Sequence, residues 1–290
     1  MKNNQSLSGL RILITNDDGI NSHGIKALER IANSITPDVW IVAPEVGQSG
    51  KGLSVTFDSA LRIKELSPRK FSVSGTPADC IFLAVGEILK DKEPDLILSG
   101  INHGANVADF IGLSGTIGAT FAAASRNIRS IAISQECKKA HELLKFPLAD
   151  HFLSNIIKKL LSFKWPDRVC MNVNFPEAQV GDISGVKIAS QGDIDVKWAV
   201  YKRLDPTDEA YYWLHAVFSD AESSSMSDVK IIAEGKYITI SALKNKQEYC
   251  GCNDKLEELF ATNGKNKNDK LDDLFVTNGK NKEELFASNG

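Results

Sequence analysis

Asp17 and Asp18 are adjacent carboxylates that follow an apolar run, Arg11-Ile12-Leu13-Ile14-Thr15, and the chain turns at Gly19 directly after them. Inside a strand, neighbouring side chains point to opposite faces, but where the chain leaves a sheet and turns, both carboxylates can converge on one point. Two carboxylates that close repel each other unless a cation lies between them. A second apolar run, Val39-Trp40-Ile41-Val42, opens into Ala43-Pro44-Glu45-Val46-Gly47-Gln48-Ser49-Gly50, and a third, Leu96-Ile97-Leu98, opens into Ser99-Gly100-Ile101-Asn102-His103-Gly104-Ala105-Asn106. With Ser49 and Asn102 added to Asp17 and Asp18, the ligand set consists of oxygens, which suits a hard Mg²⁺, Mn²⁺ or Ca²⁺ and not zinc. The local alternative is that Asp17 caps the next helix and Asp18 is a turn residue. Agreement among three run ends favours the metal.

Two more loops offer hydroxyls, small residues and free backbone N–H groups at a helix start: Ser74-Gly75-Thr76-Pro77-Ala78-Asp79 and Ser114-Gly115-Thr116-Ile117-Gly118. A helix N-terminus favours phosphate through its dipole and its unpaired donors. The plainer alternative for each is an ordinary N-cap with a tight helix-to-sheet contact. The chain has no Walker lysine and no dinucleotide-binding glycine fingerprint. Ser49, in Gln48-Ser49-Gly50, does not sit in a hydrolase nucleophile elbow. His103 shares the third loop and could serve a leaving group, the metal shell or neither.

These loops need a scaffold that brings several strand ends to one edge. Gly24 to Ile35 has helical spacing through Ile25, Leu28 and Ile31, so the first two apolar runs flank a helix. Leu53 to Val73 reads as an antiparallel excursion. Helices are expected from Pro77 through an apolar body at Ile81 to Leu89, over Gly115 to Ser125, and over His141 to Phe163; strands are expected at Ser130 to Ser134 and Val169 to Asn174. Alternating elements with almost continuously apolar strands predict an α/β fold, a mostly parallel sheet with helices on both faces. In such a sheet, ligands bind outside the carboxyl ends of the strands.

From Gly181 to His215 the pattern changes to short alternating strands, Val186-Lys187-Ile188 and Tyr211-Tyr212-Trp213-Leu214 among them, read as an arm projecting from the sheet. Ser227 or Asp228 is expected to cap a helix running through Glu234, and Lys236 to Leu243 to form a last strand, with the domain spanning 1–243. The remaining segment, 244–290, repeats itself: the run Asn253 to Gly264 recurs as Asn268 to Gly279 and, shortened, as Asn281 to Gly290. Each unit is too short to hold a helix alone in water, so a poorly ordered tail is expected.

With 290 residues, 42% hydrophobic, the chain can bury a sizeable core without metal or disulfide staples. Its 34 Lys+Arg against 37 Asp+Glu lack the basic excess that a nucleic-acid polymer would require, and no uninterrupted apolar stretch is long enough to span a bilayer. Met1 to Gly9 is polar and shows no basic-then-apolar leader pattern, so the expected compartment is the cytoplasm. Five scattered cysteines read as reduced thiols, and Cys250-Gly251-Cys252 alone makes no closed zinc site.

Taken together, these motifs resemble the SurE (survival protein E) family of divalent-metal-dependent 5′/3′-nucleotidases. The similarity runs from about Leu10 to Leu243. It is carried by Asn16-Asp17-Asp18-Gly19, Ala43-Pro44 through Ser49-Gly50, Gly75-Thr76-Pro77-Ala78-Asp79-Cys80, Pro94-Asp95-Leu96 through Asn102, Gly104 with Asn106, and Ser114-Gly115-Thr116. Later blocks, Asn172 to Pro176, Asp205-Pro206 and Tyr211-Tyr212-Trp213, agree too. The resemblance implies a Rossmann-like domain with a swapped C-terminal arm, a homodimer or homotetramer, and hydrolysis of nucleoside monophosphates, with polyphosphate as a further substrate. It also implies one divalent ion held by Asp17, Asp18, Ser49 and Asn102, and a phosphate pocket lined by Asn106, Ser114, Gly115 and Thr116. The chain departs from the family at Ser22-His23, where Ala-Pro is usual, and at Ser241-Ala242-Leu243, where Thr-Pro-Leu is usual. The chemistry expected is metal-assisted attack by water, with Asp17 or Asp18 orienting it and Ser114 to Thr116 stabilising developing charge. The alternatives are an aspartyl-phosphate route with Asp17 as nucleophile and, outside catalysis, a nucleotide-binding module that meets partners through the tail repeats.

Overall fold

The computed structural model describes residues 7–137, 145–219 and 224–245. The tail and the first residues of the helix expected from His141 lie outside them. Nine strands form one sheet, built around β1 (Ile12–Thr15), β2 (Val39–Pro44), β5 (Leu96–His103), β6 (Ser130–Gln135) and β7 (Cys170–Phe175). Toward one edge the sheet continues through β4 (Lys70–Val73) to β3 (Ile63–Ser67), and toward the other through β11 (Tyr237–Leu243) to β8 (Gly185–Ile188), giving the order β3-β4-β2-β1-β5-β6-β7-β11-β8. The six strands from β4 to β7 run parallel. β3 is antiparallel to β4, and β11 antiparallel to β7.

Strand alternation divides the core. Ile12 and Ile14 of β1 face one layer, packed by α1 (His23–Asn33) and α5 (Pro147–Leu161), whereas Leu13 faces the other, packed by α2 (Pro77–Leu83) and α4 (Gly115–Ser125). Every residue of β1, β6 and β7 is buried, as a doubly covered parallel sheet requires. A short helix, α3 (Phe110–Leu113), precedes α4. Helix α4 carries Ala119, Ala122 and Ala123 where it meets the sheet and α2, so its backbone can approach closely. Among the described residues no helix is long and apolar enough to cross a membrane.

The structure corrects several sequence expectations. The excursion after Leu53 is antiparallel only at β3; β4 returns to pair in parallel with β2, because Phe71 and Val73 supply apolar faces for the sheet. Helix α2 is shorter than expected and passes at Ala84 into a π-helical turn ending at Ile88. Among the described residues α5 begins at Pro147, whose fixed φ and missing N–H suit a first helical position, with Lys145 and Phe146 before it outside the helix. Val186-Lys187-Ile188 belongs to β8 on the edge of the main sheet, not to the arm: its partner is β11, far along the chain.

The arm itself is a two-stranded hairpin of β9 (Asp195–Leu204) and β10 (Ala210–Ser219), longer than the short strands expected. Its turn is held by Asp205, whose Oδ1 accepts from Thr207 N at 2.8 Å, Thr207 Oγ1 at 2.8 Å and Glu209 N at 3.0 Å. The last helix, α6 (Asp228–Ala233), is capped by Ser227, which accepts from Lys230 N at 3.3 Å.

Candidate active site

The chain order reverses between β1 and β5: β2 lies beyond β1 on one side and β6 beyond β5 on the other. The ends of these neighbouring strands cannot both be covered by their own connections, which leaves a crevice at their carboxyl edge. Asp17 and Asp18 follow β1 there, and Asn102 is the last residue but one of β5, the strand paired beside it.

Asn16 shapes the turn. Its Nδ2 donates to Gly19 O at 3.0 Å and to Ser22 Oγ at 2.8 Å, and Ser22 accepts from Ile25 N at 3.3 Å to cap α1. One departure from the family pattern, Ser22, is thus the helix cap. The capping alternative for Asp17 therefore fails, and its carboxylate is spent elsewhere.

Asp17 is 4% exposed, and its Oδ1 accepts from Thr116 Oγ1 at 2.7 Å. It sits against the first turn of α4: a Cβ on Gly115 would lie 2.8 Å from Asp17 Cβ and 3.1 Å from Oδ2, so a glycine is what lets the helix end close on the carboxylate. Burial raises the Asp17 pKa and the neighbouring Asp18 charge adds to the rise, while the Thr116 hydroxyl and backbone N–H oppose it; burial wins.

Asp18 Oδ2 is buried and accepts no hydrogen bond, and the nearest basic nitrogen, His103 Nδ1, stands 3.6 Å away. The His103 ring packs on Phe146 at 4.9 Å between centroids. Asn16 Oδ1 is likewise buried without a partner. Unpaired buried oxygens of this kind cost free energy that a bound cation would recover. Among the described residues no three His, Cys, Asp or Glu side chains gather around one point. The donors therefore fit a hard ion held by two carboxylates and neutral oxygens, and do not fit a nitrogen- or sulfur-ligated one.

The other predicted residues occupy distinct positions around this pair. Ser49 is exposed on the loop after β2, which is tied to β1 by Gln48 N donating to Asp17 O at 2.7 Å. Asn102 spends its amide on its own loop, donating to His103 O at 3.2 Å and Gly104 O at 2.9 Å, which leaves its Oδ1 without a hydrogen bond among the described residues. Ser114 caps α4 by accepting from Ile117 N at 3.2 Å. The Thr116 hydroxyl is engaged with Asp17, a role that residue type and spacing alone did not reveal.

Asn106 is buried and turned inward: its Nδ2 donates to Ser134 Oγ at 2.8 Å, its N–H donates to Asn174 Oδ1 at 2.8 Å, and its carbonyl accepts from Asn172 Nδ2 at 2.8 Å. The period-two spacing of Asn172 and Asn174 on a fully buried strand was the available signal that they brace this loop.

The second loop expected to attract an anion is already satisfied. Asp79 Oδ2 accepts from Thr76 N at 2.9 Å while Thr76 Oγ1 accepts from Asp79 N at 3.2 Å, a reciprocal capping box, and Thr56 also donates to Asp79. A carboxylate of the chain occupies the α2 N-terminus, so Ser74 to Asp79 is a cap.

A doubly wound parallel sheet with an acid pair at its reversal point, set against a helix N-terminus, defines a Rossmann-like α/β protein with a carboxylate-bearing crevice at the strand ends. Residues 12–197 match the family described as Survival protein SurE, and the chain belongs to that family. It is 45% identical to a protein of Parvibaculum lavamentivorans named 5′-nucleotidase SurE, over 71% of this chain and 75% of that one. A protein of the same name from Paramagnetospirillum magneticum is 41% identical over 79% of this chain and 87% of its own length. The crystal structure of the SurE protein from Aquifex aeolicus superposes with a TM-score of 0.72 at 32% identity, covering 86% of this chain and 99% of that one.

Proposed function

We propose that the chain is a divalent-metal-dependent phosphomonoesterase that hydrolyses nucleoside 5′- and 3′-monophosphates to nucleoside and phosphate, with short polyphosphate as a secondary substrate. The observation that carries this reading is the adjacent pair of Asp17, buried against the α4 N-terminus, and half-buried Asp18, whose Oδ2 is buried and unsatisfied. The name shared by the two relatives, 5′-nucleotidase SurE, supports the nucleotide as substrate. Asp17, Asp18, Ser49 and Asn102 would hold the ion, Mg²⁺ or Mn²⁺, which when bound neutralises phosphoryl charge and makes water acidic enough to attack near neutral pH.

The rest is done by the chain. Thr116 holds Asp17 in one orientation, and the paired carboxylates can take up the proton of the attacking water. The α4 N-terminus, with Ser114 and Gly115, offers backbone donors to the oxygens on which charge develops. His103, beside Asp18, is placed to exchange a proton with water or with the departing alkoxide.

Purified protein should release phosphate from a nucleoside monophosphate with Mg²⁺ or Mn²⁺ and lose that activity in EDTA. Activity that survives EDTA would sink the metal assignment. The same reading includes a homodimer or homotetramer. The β9–β10 hairpin leaves Trp198, Tyr212 and Leu214 on one face and Trp213 on the other at least half exposed, apolar surface that a monomer would show to water at a cost. Sedimentation should therefore give at least twice the chain mass, and a monomer at micromolar concentration would contradict it.

A further inference from the structure

The stretch from Asn102 to Ser114 joins two parts of the candidate site, the end of β5 and the N-terminus of α4, and distant residues set its path. Asn102 Nδ2 donates to Gly104 O at 2.9 Å, and Glu136 Oε2 accepts from Ala105 N at 3.0 Å. Two residues beyond Asn106, Ala108 takes a φ of +49°, in the left-handed region that a residue with a Cβ seldom adopts. Such a conformation persists only where its surroundings impose it. Ala108 is gripped on both sides: its N–H donates to Asp228 Oδ2 at 3.2 Å, and its carbonyl accepts from Gln191 Nε2 at 3.1 Å. The next residue is tied as well, Asp109 Oδ2 accepting from Ile194 N at 3.1 Å.

Asp228 is the centre of this grip. It is fully buried at the first position of α6, and its other oxygen, Oδ1, accepts from Val229 N at 2.8 Å and from Gly192 N at 2.9 Å. The helix does not need it as a cap, because Ser227 already fills that place. One buried carboxylate therefore joins three segments: the start of α6, the base of the β9–β10 hairpin and the loop between Asn102 and Ser114. We propose that Asp228 is a positioning residue for the hydrolysis: through the Ala108 peptide it fixes Asn102 and the Ser114 to Thr116 turn relative to each other. The proposal rests on the phosphomonoesterase reading above and adds to it a residue that acts through another.

The two oxygens have separate duties, so one substitution can cut one of them. Asparagine has the shape of aspartate but a single side-chain acceptor. With its oxygen toward Val229 N and Gly192 N it keeps two bonds; turned the other way it keeps one and sets its amide against two N–H groups. The first orientation is therefore preferred, and it places an N–H donor against Ala108 N–H. Asp228→Asn should release the loop while α6 and the hairpin base stay joined. Left without its partner, the Ala108 N–H loses what offsets its left-handed backbone.

In the full-length protein with Mn²⁺, Asp228→Asn should lower kcat for adenosine monophosphate at least about tenfold and change KM less than about twofold, since misplaced groups cost rate more than ground-state binding. Hydrogen exchange should quicken at least about tenfold over residues 104–109 and stay unchanged over 190–194 and α6. The sedimenting mass should not change. Glycine accepts the left-handed conformation without penalty, so in an Ala108→Gly background Asp228→Asn should cost less than about threefold in kcat. The full tenfold loss in that background, or an unaltered kcat in a folded Asp228→Asn protein, overturns the proposal. A fall in mass together with activity places the effect in the hairpin and overturns it too. Should Asp228→Asn melt below assay temperature, Gln191→Ala, an exposed residue that grips the same peptide, must quicken exchange over 104–109 and lower kcat. If the unaltered protein releases no phosphate from any nucleotide, the reaction is overturned and the role with it, whereas the exchange measurement still decides the grip on Ala108.

Discussion

Asp18→Asn should lower metal-dependent phosphate release at least about a thousandfold, roughly 4 kcal/mol of transition-state stabilisation, while leaving the metal-free protein as stable as before or more so. The two halves of this expectation have one cause. Asp18 Oδ2 is buried without a hydrogen bond, and the Asp18 charge pushes the Asp17 pKa upward. A carboxyl whose pKa is raised by folding binds its proton more tightly in the native state than in the unfolded chain. Its ionisation therefore subtracts stability as pH rises above the ordinary carboxylate value, and the loss is fully present above the raised value. Replacing Asp18 with a neutral amide removes one charge from the apposed pair and reduces that loss, but it also removes a proposed ligand. Melting curves at neutral pH should show no fall in Tm for Asp18→Asn in EDTA. The rise in Tm that Mn²⁺ gives the unaltered protein should vanish. A variant that keeps the metal-induced rise and the activity would remove Asp18 from the site.

That such a residue could be singled out from the chain alone follows from where it sits. Asp17, Asp18, Ser49 and Asn102 each follow an apolar run that reads as a strand, and in a doubly wound sheet the carboxyl ends of strands share one edge. Position along the chain was therefore enough to propose convergence. What was illegible depends on contacts between distant residues. The pairing of β8 with β11 across the hairpin cannot be read from Val186-Lys187-Ile188, whose alternation suits an arm or a sheet edge equally. Ser74 to Asp79 and Ser114 to Gly118 look alike as sequences, yet one is closed by Asp79 and the other faces Asp17. The difference is the carboxylate three residues into α2, where α4 has Ile117. That signal was available, and a capping-box reading would have used it. The inward turn of Asn106 was hidden because its partners, Ser134, Asn172 and Asn174, come from two later strands.

The loop that carries Ser49 depends on a single missing side chain. A methyl group at Gly118 would overlap the Gly52 carbonyl oxygen and lie 2.9 Å from Leu53 N, and all of these are backbone atoms that cannot swing aside. Gly118→Ala must therefore separate α4 from the loop. Helix α4 cannot give way easily, because it is buried on nearly every side between α2 and the sheet. The loop moves instead, and with it the bonds from Gln48 N to Asp17 O and from Gly52 N to Leu113 O. Overpacking of this kind costs about 1–3 kcal/mol, and the helical preference for alanine over glycine returns no more than about 1 kcal/mol of it. Urea unfolding should show the net loss, and, with Ser49 as the proposed ligand, Mn²⁺ affinity should fall at least about tenfold, an effect of about 1.4 kcal/mol. The control is Gly86→Ala, at an exposed position where a Cβ meets nothing within 4 Å; it should be neutral in both assays. If Gly118→Ala matches the control in stability, the close approach of helix and loop is wrong. If it is destabilised but binds Mn²⁺ as tightly as before, Ser49 is not a ligand and the ion is held by the β1 and β5 ends alone.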